Sequence, residues 1–320
     1  MSNKDLILEN LEKLKEAKKK DRFRFLAYSN AILVLKRFKT IDIKDLPELK
    51  KTKGIGKGIY SKIEEILKTK KLQAVLKLPP KSKKEKVLDL FLGILGVGEK
   101  TANGWYYEGY RKLSDIDDGE LNRTQKLGIK YYEDMKLQIP RKEIKCAYDP
   151  YINYGLTKIS EKYNLEFKYI IAGSYRRLKS VSNDIDVLIT EKTRKYDNQE
   201  LMNIIIKEFT KIKLIREELT KGKSKFTGLS KVELSKEINF PVRRFDIELV
   251  KPEDWYYALL YFTGSKTTNE KMRYQAKKQN YLLNQYGLFK LEDDKERFNA
   301  KSEKDIFKKL GMPYLDPENR

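Results

Sequence analysis

The sequence predicts an α+β chain: helical modules first, then a mixed sheet with helices, then a small C-terminal α/β segment. Three observations carry that expectation. Apolar residues recur at helical spacing through residues 1–139, with Ile59, Ile63, Ile66 and Leu67 the clearest run. Two Gly-x-Gly turns, Gly54-Ile55-Gly56 and Gly96-Val97-Gly98, lie 42 residues apart, and each opens a helical stretch. Ile185, Val187 and Ile189 alternate with Asp184, Asp186 and Leu188, and later Phe245, Ile247 and Leu249 alternate with polar neighbours; both runs read as strands.

In chain order, Leu6, Leu8, Leu11 and Leu14, then Phe25, Tyr28, Ile32, Leu33 and Leu35, predict amphipathic helices that Pro47 breaks. Pro79-Pro80 followed by Lys81-Ser82-Lys83-Lys84 marks a boundary. The expected segments are 1–78, 79–139, 140–252 and 253–320. In the third, Ile152, Leu156 and Ile159 suggest a helix and 167–172 a strand. Residues 199–211 suggest a helix burying Leu201, Ile204, Ile205 and Phe209.

Lys and Arg number 69 against 47 Asp and Glu in 320 residues, a formal charge of +22. That excess favours a polyanionic partner, nucleic acid ahead of an anionic membrane surface. No apolar run is long enough to span a bilayer and no signal peptide is evident, so a soluble intracellular protein is expected, in nucleus or cytoplasm. There is no histidine and one cysteine, Cys146. This excludes an intramolecular disulfide, Cys/His zinc sites and any His base. A metal here must take oxygen ligands, which favours Mg²⁺ or Mn²⁺. Cys146 itself reads as a small buried hydrophobe.

The chemistry concentrates in residues 172–190. Asp184 and Asp186, two apart on a strand, project from one face roughly 6.6 Å apart along the backbone. Paired carboxylates repel unless a cation sits between them. Upstream, Gly173-Ser174 can bring backbone N–H groups to a phosphate and Arg177 adds charge. An Asp-x-Asp alone is more often a solvated edge; with the cradle and the arginine beside it, the set points to nucleotidyl transfer. The Gly-x-Gly turns expose N–H groups that grip DNA phosphates without reading sequence, with Na⁺ or K⁺ as a candidate companion.

Gly173-Ser174-Tyr175-Arg176-Arg177 followed by Asp184-Ile185-Asp186 resembles the nucleotidyltransferase signature of the family X DNA polymerases, in the polymerase beta type of layout. The resemblance covers nearly the full chain. It implies a helix-hairpin-helix lyase module, a second, thumb-like hairpin module, a nucleotidyltransferase palm and a nucleotide-selecting C-terminal segment. It makes Lys62 the Schiff-base lysine that attacks an abasic 5′-deoxyribose phosphate, a chemistry that needs a neutral amine. Arg24 and Tyr28 would flank the 5′-phosphate, and Gly54, Gly56, Lys57, Gly96 and Gly98 would meet DNA. Phe23 stands at a family histidine position and Gly58 where a further lysine is frequent.

The resemblance further places Arg141, Gly173, Ser174, Arg177, Ser182 and Asn183 on the incoming triphosphate. Asp246, in Arg243-Arg244-Phe245-Asp246, becomes the third carboxylate with Asp184 and Asp186, the three holding two Mg²⁺ ions, with Mn²⁺ as substitute. Lys225, in the basic turn 221–228, and Arg244 are carried over as DNA contacts. Tyr261, Phe262 and Gly264 form the turn against the sugar, while Asn269 and Arg273 meet the nascent base pair. Asn183, Glu248 and Lys266 depart from the pattern, and Glu248 cannot make the arginine pair to Asp186 expected at its position.

The implied activity is templated gap filling on gapped or nicked DNA with a 5′-phosphate, using deoxynucleoside triphosphates, with a 5′-deoxyribose phosphate lyase, in base excision repair. A monomer is expected. The alternatives are a template-independent or end-joining transferase, against which the lack of a docking domain ahead of residue 1 weighs, and a non-catalytic helix-hairpin-helix DNA-binding protein.

Overall fold

The computed structural model describes residues 2–36, 38, 40–235, 238–292 and 296–320. Packing divides the chain into two units, Met1–Ser82 and Lys83–Glu318.

The first unit is helical: α1 (Asn3–Ala17), α2 (Arg22–Leu35), α3 (Leu46–Lys51), α4 (Lys57–Thr69) and α5 (Gln73–Leu76). Ser2 caps α1 by accepting from the Asp5 N–H, and Asp21 caps α2 by accepting from Arg24. Ile7, Leu11, Ile32, Leu35, Leu49, Ile63 and Ile66 close one core. Pro47 does not break a helix as expected. It lies in the first turn of α3, where its missing N–H is no loss, and the helical run stops earlier, after Leu35. Between α3 and α4, Gly54 takes φ +99, and a Cβ there would meet Val34 Cγ2 at 3.0 Å. The boundary expected at 78/79 falls after Ser82, because the next helix begins at Lys83.

The second unit opens with α6 (Lys83–Leu92), α7 (Glu99–Tyr107), α8 (Arg123–Lys130) and α9 (Tyr132–Lys136) around Phe91, Ile94, Ala102 and Trp105. Next come β1 (Ile139–Pro140), α10 (Arg141–Glu143), a π-turn (Ile144–Tyr148) and α11 (Asp149–Tyr163). Ile144, Ala147 and Tyr148 take the buried side of that turn, which leaves Cys146 exposed and corrects its expected burial. Then follow β2 (Phe167–Ile171), α12 (Gly173–Arg176), β3 (Val181–Ser182), β4 (Ile185–Glu191), α13 (Asn198–Lys211), β5 (Ile215–Lys221), β6 (Lys225–Ser230) and β7 (Arg243–Leu249). The last elements are α14 (Trp255–Thr263), α15 (Lys266–Lys278), β8 (Tyr281–Asn284), β9 (Gly287–Lys290) and α16 (Glu303–Lys309). Among the described residues no helix is long and apolar enough to cross a membrane.

The main sheet runs β2-β4-β7-β6-β5, with β4 and β7 parallel and the other neighbours antiparallel. Period two puts Ile185, Val187, Ile189, Phe245, Ile247 and Leu249 on one face, buried against α11 and α13. On α13 the buried side is Leu201, Met202, Ile205, Ile206 and Phe209, and Ile204 lies at its margin. The opposite face is only partly covered. Leu188 packs under Trp255, Ala258 and Leu259 of α14, and Leu229 packs against Leu127 of α8. Asp186 of β4 and Arg244, Asp246 and Glu248 of β7 lie on this face.

Arg243 at the start of β7 is 4% exposed and forms a two-pronged ion pair with Glu143 at 2.8 and 2.8 Å. It also donates to the Leu137 carbonyl at 2.8 Å, locking β7 to the segment that carries Arg141. Glu143→Ala strands a buried guanidinium and is predicted to lower stability by about 3–5 kcal/mol in urea unfolding. Replacing both partners by leucine should lose less. A loss below about 1 kcal/mol for Glu143→Ala, the range of exposed pairs, would show that the pair anchors nothing.

Candidate active site

Parallel pairing of β4 with β7 sets Asp186 opposite Asp246. Antiparallel pairing of β6 with β7 sets Thr227 opposite Asp246 and Lys225 opposite Glu248. Asp184 lies at the step into β4, on the Asp186 side of the alternation. The structure thus brings Asp184, Asp186 and Asp246 to one partly covered sheet face.

The electrostatics record that crowding. Burial, then the charges of Asp184 and Asp246, push Asp186 up to about 7, against Arg244 and Arg177. Burial likewise raises Asp184. Burial pushes Glu248 up to about 7, with Lys225 opposing and Asp246 adding to the rise. Arg244 turns onto Asp246, with Nη2 3.2 Å from Oδ2. Asp246 is therefore held by Arg244. Among the described residues the side chains form no finished cage of three or more acidic, histidine or cysteine ligands. The donors nevertheless fit a hard divalent cation: three carboxylates whose repulsion Arg244 and Arg177 offset only in part, with no nitrogen or sulfur ligand between them.

The cradle follows β2 directly. Gly173 adopts φ +53, and a Cβ there would lie 2.2 Å from Asp186 Oδ2, so both backbone and space require glycine. Ser174 and Ser182 share a hydroxyl hydrogen bond at 2.7 Å. Pairing of β1 with β3 sets Ile139 opposite Ser182, and the Arg141 N–H donates to Ser180 O at 2.8 Å. The Arg141 guanidinium donates to the Tyr175 carbonyl and lies 4.1 Å from the Tyr175 ring centroid. Arg177 Nη1 donates to the Thr263 carbonyl at 2.5 Å. Asn183 is exposed, 3.5 Å from the Gln138 amide.

At the end of α14, the Tyr261 and Phe262 rings meet edge to face at 5.0 Å. Phe262 lines a cavity of about 30 Å³ with Asp186, Asp246, Lys225 and Glu248. Gly264 takes φ +68, and a Cβ there would meet Arg177 Nη1 at 3.2 Å. Asn269 Nδ2 donates to the Tyr261 carbonyl at 2.8 Å, and Arg273 lies 5.1 Å from the Tyr261 ring centroid. One support was not foreseen in the sequence. Arg176 makes a two-pronged pair with Glu303 at 3.0 and 2.6 Å, and Arg320 donates to the same carboxylate at 2.6 Å. Burial works against the charged form of Glu303, but Arg176 and Arg320 outweigh it and hold it low. No local pattern signals a pair 127 residues apart.

In the first unit, Phe23, Arg24, Tyr28, Gly58, Lys62 and Lys77 line a cavity of about 910 Å³. Lys62 Nζ donates to the Gly58 carbonyl at 3.0 Å, one helical turn back. Tyr28 is largely buried, and burial raises its hydroxyl pKa against the influence of Arg24. Gly54, Gly56 and Lys57 are exposed at one hairpin, and Gly96 and Gly98 at the other.

Four family models match in sequence order. A helix-hairpin-helix domain matches residues 2–72, and the fingers domain of DNA polymerase lambda matches 89–136. The DNA polymerase beta palm matches 138–252 and the DNA polymerase beta thumb 258–320, so the thumb name goes to the C-terminal segment. Among curated proteins, DNA polymerase lambda of Rattus norvegicus is 31% identical over 98% of this chain and 56% of its own length. DNA polymerase lambda of Arabidopsis thaliana is 29% identical over 93% and 58%. DNA nucleotidylexotransferase of Xenopus laevis is 28% identical over 93% and 64%. The chain thus spans a little over half the length of these relatives.

The carboxylate cluster makes a pH prediction. Asp186 ionises near 3.8 when unperturbed and near 7 in the fold. Between those values the folded state holds the extra proton, so stability falls as pH rises from about 4 to about 7 and levels off above. Glu248 contributes the same sign. In metal-free protein, Asp186→Asn should therefore raise Tm at about pH 8 and leave it nearly unchanged at about pH 4. Equal effects at the two pH values would contradict the crowding.

Proposed function

We propose that this chain, a member of the family X DNA polymerases, fills short gaps in DNA by templated addition to a primer 3′-hydroxyl. The observation that carries the proposal is the parallel Asp186–Asp246 pairing beside the Gly173 turn. Asp184, Asp186 and Asp246 would hold divalent ions, Mg²⁺ or Mn²⁺. Bound there, such ions supply positive charge toward the triphosphate and the primer oxygen.

The chain's own residues do the positioning. Ser174, Arg177, Arg141 and the turn at Ser182-Asn183 hold the triphosphate. Arg177 must exchange its Thr263 carbonyl for phosphate oxygen, and Arg244 must release Asp246. Tyr261, Phe262 and Gly264 seat the sugar. Asn269 and Arg273 turn from Tyr261 to the new base pair. The primer 3′-oxygen then attacks the α-phosphorus and the bond to pyrophosphate breaks, with preorganised charge carrying most of the effect.

The first unit supports a second step on the same class of substrate. The Lys62 amine condenses with the C1′ aldehyde of a 5′-deoxyribose phosphate and water leaves; loss of a C2′ proton then breaks the C3′–O bond and frees the 5′-phosphate end, and water hydrolyses the imine to release the sugar and restore Lys62. Arg24 and Tyr28 sit in the same cavity to hold that phosphate. The two Gly-x-Gly turns grip the flanking duplex, with Na⁺ or K⁺ as companion ion. Together these acts belong to base excision repair, with a monomer working on gapped DNA that carries a 5′-phosphate.

The test is single-nucleotide insertion on a gapped duplex with a downstream 5′-phosphate, each deoxynucleotide offered separately. Insertion should follow the template and fall about a hundredfold or more in Asp246→Ala. Insertion without regard to template would favour a transferase, the activity named in the Xenopus relative. Binding without insertion would leave only the DNA-binding reading. Separately, Lys62→Ala should abolish borohydride trapping of the 5′-deoxyribose phosphate and leave insertion intact. Persistent trapping would remove Lys62 from the lyase step.

A further inference from the structure

Helix α7 begins at the second hairpin and ends at Tyr106-Tyr107. The Tyr107 side chain is 75% exposed, and among the large apolar and aromatic side chains described only Phe23, at 84%, is more so. The two rings meet edge to face at 6.0 Å. Cations gather on them. Lys84 Nζ lies 5.1 Å from the Tyr106 centroid and 4.7 Å from that of Tyr107, and donates to the Tyr107 hydroxyl at 3.1 Å. The Arg111 guanidinium lies 4.0 Å from the Tyr106 centroid and is fixed by the Tyr106 and Tyr110 carbonyls, each at 2.7 Å.

We propose that Tyr106, Tyr107, Lys84 and Arg111 form a stacking platform for single-stranded DNA adjoining the duplex held by the Gly96–Gly98 hairpin. The proposal rests on the reading that the chain acts on DNA, and adds a site away from the carboxylates. Bases inside a duplex offer no free π-face, whereas an unpaired base stacks on any exposed ring, with cations taking the phosphates. The distances suit one continuous strand. Seven residues of helix, 99–105, separate hairpin from platform, about 12 Å of rise from Gly98 to Tyr106, or about three to four phosphates of one strand. The chain's net charge of +22 supplies the long-range attraction that brings such a strand in.

The test uses the full chain with two probes: an oligothymidine of about twelve nucleotides, and a gapped duplex with flush ends. Tyr107→Ala should weaken oligothymidine binding about tenfold and leave binding to the flush duplex, and insertion on it, unchanged. Tyr107→Trp should retain binding, with indole emission quenched by oligothymidine and not by inorganic polyphosphate. Lys84→Ala should lower the salt dependence of oligothymidine binding by about one counterion. Unchanged oligothymidine affinity in Tyr107→Ala, or equal loss on both probes, would overturn the platform. Oligothymidine binding by the wild-type chain with no insertion on the gapped duplex would count against the polymerase reading alone.

Discussion

Asp186 and Asp246 stand side by side because β4 and β7 run parallel in register, and carboxylates held that close repel. Much of the surrounding structure answers that constraint. The opposite faces of the same strands are buried in an apolar core, which stops the register from slipping by one residue and reversing every side chain. Gly173 removes the Cβ that would collide with Asp186. Arg243 locks the start of β7 to Glu143. Arg244 and Arg177 supply counter-charge from within the chain, and still Asp186 stays near neutral pH. Such a cluster is poised to take up external positive charge.

The groups assigned to substrate are already engaged. Arg177 is on a carbonyl of α14, Arg244 on Asp246, and Asn269 and Arg273 on Tyr261. On the proposed reading, binding would be an exchange of partners, in which each hydrogen bond gained replaces one given up and the net gain per bond is modest. Lys225 and Glu248 share this logic, since each faces the other across the β6–β7 ladder. Glu248, which cannot serve as the arginine expected there, instead adds a further acidic group beside Asp246.

Features written in local periodicity were legible in the sequence. The alternation around Asp186 and Asp246, the four buried positions of α4 and the Gly-x-Gly turns need only neighbours along the chain. The shared face of Asp246, Arg244 and Glu248 followed from period two. Which strands lie next to each other did not, since the parallel pairing of β4 with β7 depends on a connection that runs through α13, β5 and β6. Burial inside one irregular turn was also hidden: Cys146 points outward because a π-turn shifts the helical phase. Pro47 misled because proline both ends helices and starts them. The pairs Glu143–Arg243 and Arg176–Glu303 join residues 100 and 127 apart, and no pattern in either segment announces them.

The central claim is that this sheet face assembles carboxylates to hold divalent cations, and Mn²⁺ binding measured by electron paramagnetic resonance tests it without relying on turnover. Wild type should bind Mn²⁺, Asp186→Asn should weaken binding by more than about tenfold, and Arg244→Ala, which frees Asp246, should strengthen it. Equal Mn²⁺ affinity in wild type and Asp186→Asn would contradict the account.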